Sequence, residues 1–295
     1  MQEAPAVSVI TPAFNRARYI EQTVSSVLEQ RSEDLEYIVV DDGSQDGTFE
    51  LLEKVIDPRF RLLRHPGGAN KGQAASINVG LREATGRYVV ILDSDDYLAV
   101  DKLQWQAAFL DENPGFGMVY GQGEAVDENG QFLFHTLPKD HTEPSDPNRL
   151  LLDCYLALPG GAMFRRSLLE EVGFFEEQFR AAQDHDMALR LMEKARVAYR
   201  PKVAFYYRKH GESISKNALE RRWQTGFEIL ARAAARYPYA PSTLRKRRAV
   251  LNYRLGETYW RSRRRWLALY HLAKSGALDP ARAFTVVSSR LRKMV

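Results

Sequence analysis

Short apolar runs and helical stripes take turns along the first hundred residues. Val7-Ser8-Val9-Ile10 is a β-branched run that stops at Thr11-Pro12, and Tyr19, Ile20, Val24, Val27 and Leu28 follow at helical spacing. Tyr37-Ile38-Val39-Val40 is a second run, closed by the turn cluster Asp41-Asp42-Gly43-Ser44. Phe49, Leu51, Leu52 and Val55 predict a helix, Phe60 to Leu63 a strand, residues 74–84 a helix, and Tyr88 to Leu92 a strand buried on both faces. This alternation implies βαβ units: an α/β domain with a mainly parallel, Rossmann-like sheet, right-handed crossovers and helices on both faces. Ligands of such sheets bind beyond the carboxyl ends of the strands. The polar clusters 12–15, 41–46 and 93–96 all fall there.

From residue 116 the pattern is mixed. Phe116 to Tyr120 reads as a strand, Glu128-Asn129-Gly130 as a hairpin turn, residues 135–149 as a mobile surface loop, and Val203 to Tyr207 as the last strand. A short helix follows Asp184. Beyond Ser215 the chain reads as helical, with Leu219, Trp223, Phe227, Leu230, Ala231 and Ala234 in one stripe. A second helical stretch is expected from about Leu244 to Lys274, with a third near the end, and Leu255 to Pro280 resembles one tetratricopeptide-like hairpin.

Composition narrows the picture. The 295 residues are 44% hydrophobic and 27% charged, as in a packed globular protein, and the lone Cys154 excludes an intrachain disulfide. No apolar run approaches the ~18 residues of a membrane span, and Met1 to Pro5 lacks the features of a signal peptide. The expectation is a cytoplasmic protein. The net charge of +4 hides a split: residues 216–295 carry 19 Lys/Arg against 4 Asp/Glu, a balance of +15, and residues 1–215 balance at −11. Two regions are therefore expected, an acidic α/β domain over 1–215 and a basic helical extension over 216–295.

Asp93-Ser94-Asp95-Asp96 follows a buried strand. Residues two apart on a strand share a side, so Asp93 and Asp95 can converge on one ligand. Their repulsion calls for a hard divalent cation, Mn²⁺ or Mg²⁺, with phosphate oxygens completing its shell. Asp41 to Thr48 closes a neighbouring strand and also caps the next helix. With Thr11-Pro12-Ala13-Phe14-Asn15 these ends outline a pocket for a base, a ribose and a diphosphate.

These motifs, in this order and with Asn70-Lys71-Gly72, Ala182-Gln183-Asp184-His185-Asp186 and Tyr207-Arg208-Lys209-His210-Gly211-Glu212-Ser213-Ile214-Ser215, resemble glycosyltransferase family 2. The resemblance covers residues 7 to about 215. It implies the GT-A fold and an inverting transferase that uses a nucleoside-diphosphate sugar, UDP or dTDP in type, in cell-surface polysaccharide synthesis. By position it implies that Pro12, Phe14 and Asp42 hold the base, with Thr11 beside them, and that Lys71 lies near the nucleotide. It implies Asp93 as a ribose or metal contact next to Ser94, and Asp95 as the direct metal ligand, with His210 assisting. It implies Asp184 as the general base, and Arg208, His210, Ser213 and Ser215 as a loop closing over the diphosphate. Gly160, Gly161 and His185 are the acceptor candidates. Gln183 stands where the family often has Glu, and His185 where an aromatic residue is common.

Chemically, a metal neutralises a departing diphosphate, cationic donors assist it, and one base at the acceptor hydroxyl implies single displacement with inversion. The acceptor is expected to be a glycan, a lipid-linked sugar or a polymer. A nucleotidyltransferase making nucleotide sugars is the alternative, but the loop after the first strand lacks glycine. In the tail, Arg245-Lys246-Arg247-Arg248 and Arg261 to Arg265 flank Tyr253, Tyr259, Trp260 and Trp266. An anionic membrane surface, on the inner face of the cell membrane, is the expected partner. Docking on the acidic part and an oligomer contact are the other readings. Nucleic acid is not expected, since no recognition motif accompanies the charge.

Overall fold

The computed structural model describes residues 6–30, 34–211 and 219–282. These divide into two compact units, one formed by Met1–Asp146 and Tyr155–Gly211, the other by Pro147–Cys154 and Glu212–Val295. The division differs from a single cut after residue 215, because a short helix within the first region packs with the second.

In the first unit the alternation read from the sequence becomes β1 (Val7–Ala13), α1 (Ile20–Leu28), β2 (Leu35–Asp41), α2 (Thr48–Leu52), β3 (Phe60–Arg64), α3 (Gln73–Glu83) and β4 (Tyr88–Ile91). These four strands pair in parallel in the order β3-β2-β1-β4. Successive strands are thus added first on one side of β1 and then on the other. The crossovers diverge between β1 and β4, and that divergence opens a crevice at the carboxyl ends of these two strands. β1 runs past Thr11-Pro12 to Ala13, longer than its apolar run. Its pairing to β4 ends at Ile10–Ile91, so Pro12 lies where β1 has only β2 for a neighbour and its missing N–H costs little.

Beyond β4 the chain leaves the parallel pattern. β5 (Tyr97–Leu98) and α4 (Lys102–Glu112) precede the long strand β6 (Phe116–Val126), which forms a hairpin with β7 (Phe132–His135). β8 (Ala162–Arg165) is antiparallel to both β4 and β6 and joins the halves of the sheet. α6 (Leu168–Val172) and α7 (Gln183–Lys194) then lead to β9 (Arg196–Arg208), which is parallel to β6 and carries β5 on its outer edge. The core face holds Val7, Val9, Tyr37, Val39, Val90, Leu92, Met163 and Phe205, covered by Ile20, Val24 and Val27 of α1 and Leu103 and Leu110 of α4. Each such side chain contributes roughly 1.5–3 kcal/mol by leaving water. Lys102 is wholly buried with them; burial pulls its ammonium well below the usual range, and Nζ lies 3.3 Å from the Ala162 carbonyl oxygen. Residues 135–149 are better anchored than a surface loop suggests, since Tyr120, Tyr155 and Tyr199 surround His141.

The second unit contains α5 (Pro147–Leu152), α8 (Leu219–Arg236), α9 (Pro241–Arg261) and α10 (Arg265–Leu278). α5 belongs here because the Asn148 side chain accepts a bond from the Ala240 N–H and the Leu152 carbonyl accepts one from Arg247. The stretch read as one helix to Lys274 is two. The chain reverses at residues 262–264, where Arg263 takes a left-handed φ of 60°. α10 then returns along α9, placing Ser275 on the Ala249 carbonyl and His271 on Asn252. Among the described residues no helix is long and apolar enough to cross a membrane.

Candidate active site

The two loops leaving β1 and β2 are laced together by side chains bonding to backbone. Ser44 Oγ accepts the Asn15 N–H, Thr48 Oγ1 accepts the Arg16 N–H, and Asp46 accepts the Ala17 N–H at 3.0 Å. Asp46 also takes the Thr48 N–H and hydroxyl. Burial raises its pKa, but these hydrogen bonds outweigh burial and hold the carboxyl below its usual range. Asp41, fully buried, accepts the N–H groups of Gly43 and Ser44 and pairs with Arg64 Nε at 3.0 Å. Gly43 is required at this turn: its φ is 81°, and a Cβ there would run into the Gly68 carbonyl oxygen.

Asp42, one of the expected base contacts, has a further role in this network. Its carboxylate accepts the N–H groups of Lys71 at 2.6 Å and Gly72 at 2.9 Å, with His65 Nε2 3.5 Å away. It thereby brings the 70–72 turn, with the exposed Lys71, to the mouth of the crevice. Thr11 is buried and accepts a bond from the Tyr37 hydroxyl, while Pro12 is buried and Phe14 stands exposed at the strand end.

The turn after β4 is built differently. Its backbone is fastened to α1, where the Thr23 hydroxyl donates to the carbonyls of Ser94 and Asp96. Its carboxylates face other side chains. Asp93 accepts a 2.7 Å bond from Gln73 Nε2, and Gln73 Oε1 accepts a 2.6 Å bond from Gln183 Nε2. This relay joins β4 to the start of α7, where Asp184 sits in the first turn and Ala182 holds a left-handed φ of 61°. Arg180 reinforces the same junction by donating to the Lys71 carbonyl at 2.7 Å. Gln183 Oε1 is buried without a partner.

Asp95 meets an arginine and a histidine. Arg16 Nε lies 3.1 Å and His210 Nε2 2.9 Å from the same carboxylate oxygen. Arg208, the last residue of β9, donates its N–H to Asp96, its Nε to the Asp95 carbonyl and its Nη2 to Gln22. Its guanidinium lies between the rings of Tyr19 and Tyr97. Arg208 is thus buried as a support for the acidic turn, and His210 packs its ring on Tyr19. Ser213 and Ser215 lie outside the described residues.

Three neighbouring acids consequently differ. Burial, reinforced by the carboxylates of Asp95 and Asp184, pushes Asp93 up to about 7. Burial acts on Asp95 too, but the His210 bond and the Arg16 charge prevail and hold its carboxyl below the usual range. Asp96 is raised well above that range by burial and by its two acidic neighbours. That Asp184 acts on Asp93 places the base candidate at the same crevice.

A divalent cation fits this donor set, because it would reverse the repulsion that Asp93 feels. Among the described residues no group of three or more His, Cys, Asp and Glu is arranged to hold a metal. The shell would rest on Asp93 and Asp95 and be completed by ligand oxygens.

The acceptor candidates are placed by packing. Gly160 has φ 69° and a Cβ there would strike the Phe205 ring, while Gly161 offers its carbonyl to Gln106 Nε2 at 2.9 Å. His185 is buried on α7. The sequence reading missed Arg16, Gln73, Arg180 and Gln183 as contributors to the site. The Gln183 departure was the one available signal.

The family model described as glycosyl transferase family 2 matches residues 8–173. The teichuronic acid biosynthesis glycosyltransferase TuaG of Bacillus subtilis is 34% identical over 233 residues, which cover 76% of this chain and 86% of that protein. Other relatives include a chondroitin and a hyaluronan synthase of Pasteurella multocida, 29% and 30% identical over 77% and 73% of this chain, of whose length the chain spans only 23% and 22%. Among solved structures, S. aureus TarS 1-349 in complex with UDP-GlcNAc superposes with a TM-score of 0.72 at 22% identity, over 97% of this chain and 85% of that one. A mannosyltransferase of Pyrobaculum calidifontis in complex with GDP-Man and Mn²⁺ gives 0.62 at 24% identity, over 98% and 81%. At these identities the likeness is one of fold, and that fold is GT-A.

Proposed function

The chain belongs to glycosyl transferase family 2, and on that premise we propose that it transfers a sugar from a nucleoside-diphosphate donor, UDP or dTDP in type, to a hydroxyl of a glycan, lipid-linked or polymer acceptor in polysaccharide synthesis. The observation that carries the reading is the acidic turn of Asp93 and Asp95 at the carboxyl end of β4, with Asp93 joined through Gln73 to Gln183, the residue before Asp184. The UDP-sugar bound by the S. aureus neighbour and the polysaccharide named for TuaG support the same donor and product class. Membership replaces the nucleotidyltransferase alternative.

In this reading Pro12 and Phe14 flank the base and Asp42 receives its imide N–H with the lone pairs that Lys71 and Gly72 leave free. Lys71 extends a positive charge toward the phosphates. Asp93 and Asp95 would hold a divalent cation, which supplies charge neutralisation to the leaving diphosphate. Arg16 and His210, already on Asp95, keep that carboxylate ionised and oriented. Asp184 takes the proton of the acceptor hydroxyl as that oxygen attacks the anomeric carbon from the face opposite the diphosphate, so configuration inverts. One base so placed contributes roughly 10²–10⁴-fold.

Asp184→Asn is expected to lose turnover by that factor while uridine diphosphate binding, read by titration calorimetry, stays near wild type. A variant retaining more than about a tenth of wild-type turnover removes Asp184 from the chemistry. Proton NMR of the first product formed from an α-linked donor reads the stereochemistry. A product of retained configuration excludes single displacement.

A further inference from the structure

We infer that the outward face of α10, with Trp260 and the arginine turn before it, docks on an anionic lipid bilayer. In α10, residues 266, 269, 270, 273 and 277 follow the spacing i, i+3, i+4, i+7, i+11 and so share one face. They are Trp266, Leu269, Tyr270, Ala273 and Ala277, and all five are exposed. Trp266 is 85% and Tyr270 57% exposed. The opposite face is satisfied inside the unit: Ala268 is buried, Leu272 packs on Gly256, and Ser275 and His271 bond to α9. An ordinary helix at the surface of a unit turns its apolar side inward. α10 keeps apolar residues on both sides, and a contiguous exposed apolar face marks an interaction surface.

Charge selects the occupant. Residues 241–282 carry 11 Lys/Arg against two Asp/Glu. Arg254 is paired to Glu257 and Arg264 to Glu220. Among the described residues Arg261, Arg263 and Arg265 have no carboxylate partner. Arg265 instead lies 4.1 Å over the Trp260 ring, and Lys274 reaches the Tyr270 hydroxyl at 3.4 Å. Cations seated at the polar edges of exposed Trp and Tyr, around a helix face of Leu and Ala, match the boundary between headgroups and acyl chains. A second copy of the chain would bring the same positive charge against itself, and nucleic acid would leave Trp266, Leu269 and Tyr270 in water.

The test is co-flotation of the full chain with vesicles of phosphatidylcholine alone or with one quarter phosphatidylglycerol, alongside tryptophan emission. Binding to the anionic vesicles is expected to exceed the neutral ones at least tenfold, with a blue shift that Trp266→Phe reduces. The triple variant W266S/L269S/Y270S, all at exposed positions, is expected to melt like wild type and to bind at least tenfold more weakly. Replacing Arg261 or Arg263 by Gln should weaken binding about fivefold each. Three outcomes overturn the inference: equal binding to both vesicle types, a triple variant that floats like wild type, and a wild-type chain that self-associates through this face in sedimentation yet ignores vesicles. A short DNA duplex that binds the chain more tightly than the anionic vesicles, with the triple variant unaffected, also overturns it. All these readouts are of partition, so they stand or fall separately from sugar transfer.

Discussion

Two acidic clusters close the strands on either side of β1, and in sequence they look alike: Asp41, Asp42 and Asp46 after β2, Asp93, Asp95 and Asp96 after β4. The first spends its carboxylates chiefly on backbone N–H groups, of Gly43, Ser44, Lys71, Gly72, Ala17 and Thr48. The second turns its carboxylates mainly toward Gln73, Arg16, His210 and one another. A carboxylate surrounded by fixed dipoles is stabilised without a counter-charge and shapes the chain. One surrounded by other charges is left responsive to whatever cation or phosphate enters. The difference separates scaffold from chemistry where residue type cannot.

The comparison can be broken most sharply at Asp95. Asp95→Asn is expected to cut turnover roughly 10²–10³-fold, the usual cost of one electrostatic group at a transition state. Its urea midpoint should stay near wild type, because relief of Asp93 and Asp96 offsets the lost pairing with Arg16 and His210. Asp41→Ala should do the reverse. It leaves Arg64 and two buried N–H groups unpaired, and about 3 kcal/mol of unfolding free energy should disappear from urea titrations. A loss below about 1 kcal/mol would mean that water substitutes for the carboxylate.

The helix after Asp46 is capped by Gly47 with no side-chain bond, so Asp46→Ala removes instead the bonds to the Thr48 N–H and hydroxyl and the tie to Ala17, for about 1 kcal/mol or a drop in melting temperature of some 2–4 °C. The pH dependence separates the two clusters by sign. Asp46 holds its proton less tightly in the fold than unfolded, so its contribution is present at neutral pH and fades as pH falls through the carboxylate range. Asp93 holds its proton more tightly, from an ordinary 3.8 up to about 7, so its contribution fades as pH rises between those values. In chelator, Asp93→Asn should flatten the decline in urea midpoint from about pH 4 to pH 7, and Asp46→Asn should leave that decline intact.

The βαβ half of the fold was legible because parallel strands buried on both faces are continuous apolar runs, and Val7 to Ile10, Tyr37 to Val40 and Tyr88 to Leu92 are such runs. The hairpin at Glu128-Asn129-Gly130 was legible from its turn chemistry. The break between α9 and α10 was legible only as the hairpin that Leu255 to Pro280 resembles and not at its position, since Arg-Ser-Arg-Arg-Arg contains neither glycine nor proline. Nor was the attachment of α5, which depends on Arg247 and Ala240, about ninety positions away. In the site, the acids could be read as candidates because they follow buried strands in an order that resembles the family's motifs. Arg16, Gln73 and Arg180 could not, because their roles exist only through partners 79, 110 and 109 residues distant.

Those separations have a consequence for biosynthesis. His210 is 115 residues from Asp95, and Arg208 is 112 from Asp96. A chain emerging from the ribosome can therefore complete β1 to β4 and display the acidic turn, with Arg16 beside it, well before Arg208 and His210 have been made. Closing so long a loop is opposed by chain entropy that grows as the logarithm of its length, and contacts of this kind slow folding. The half-made sheet would wait with Arg16 as the one paired cation of the acidic turn among the residues described up to that point, and with β4 still an open edge. The pocket is then the last part of the first unit to mature, and a chain stalled or cut before residue 208 emerges with its strands in order and no working centre.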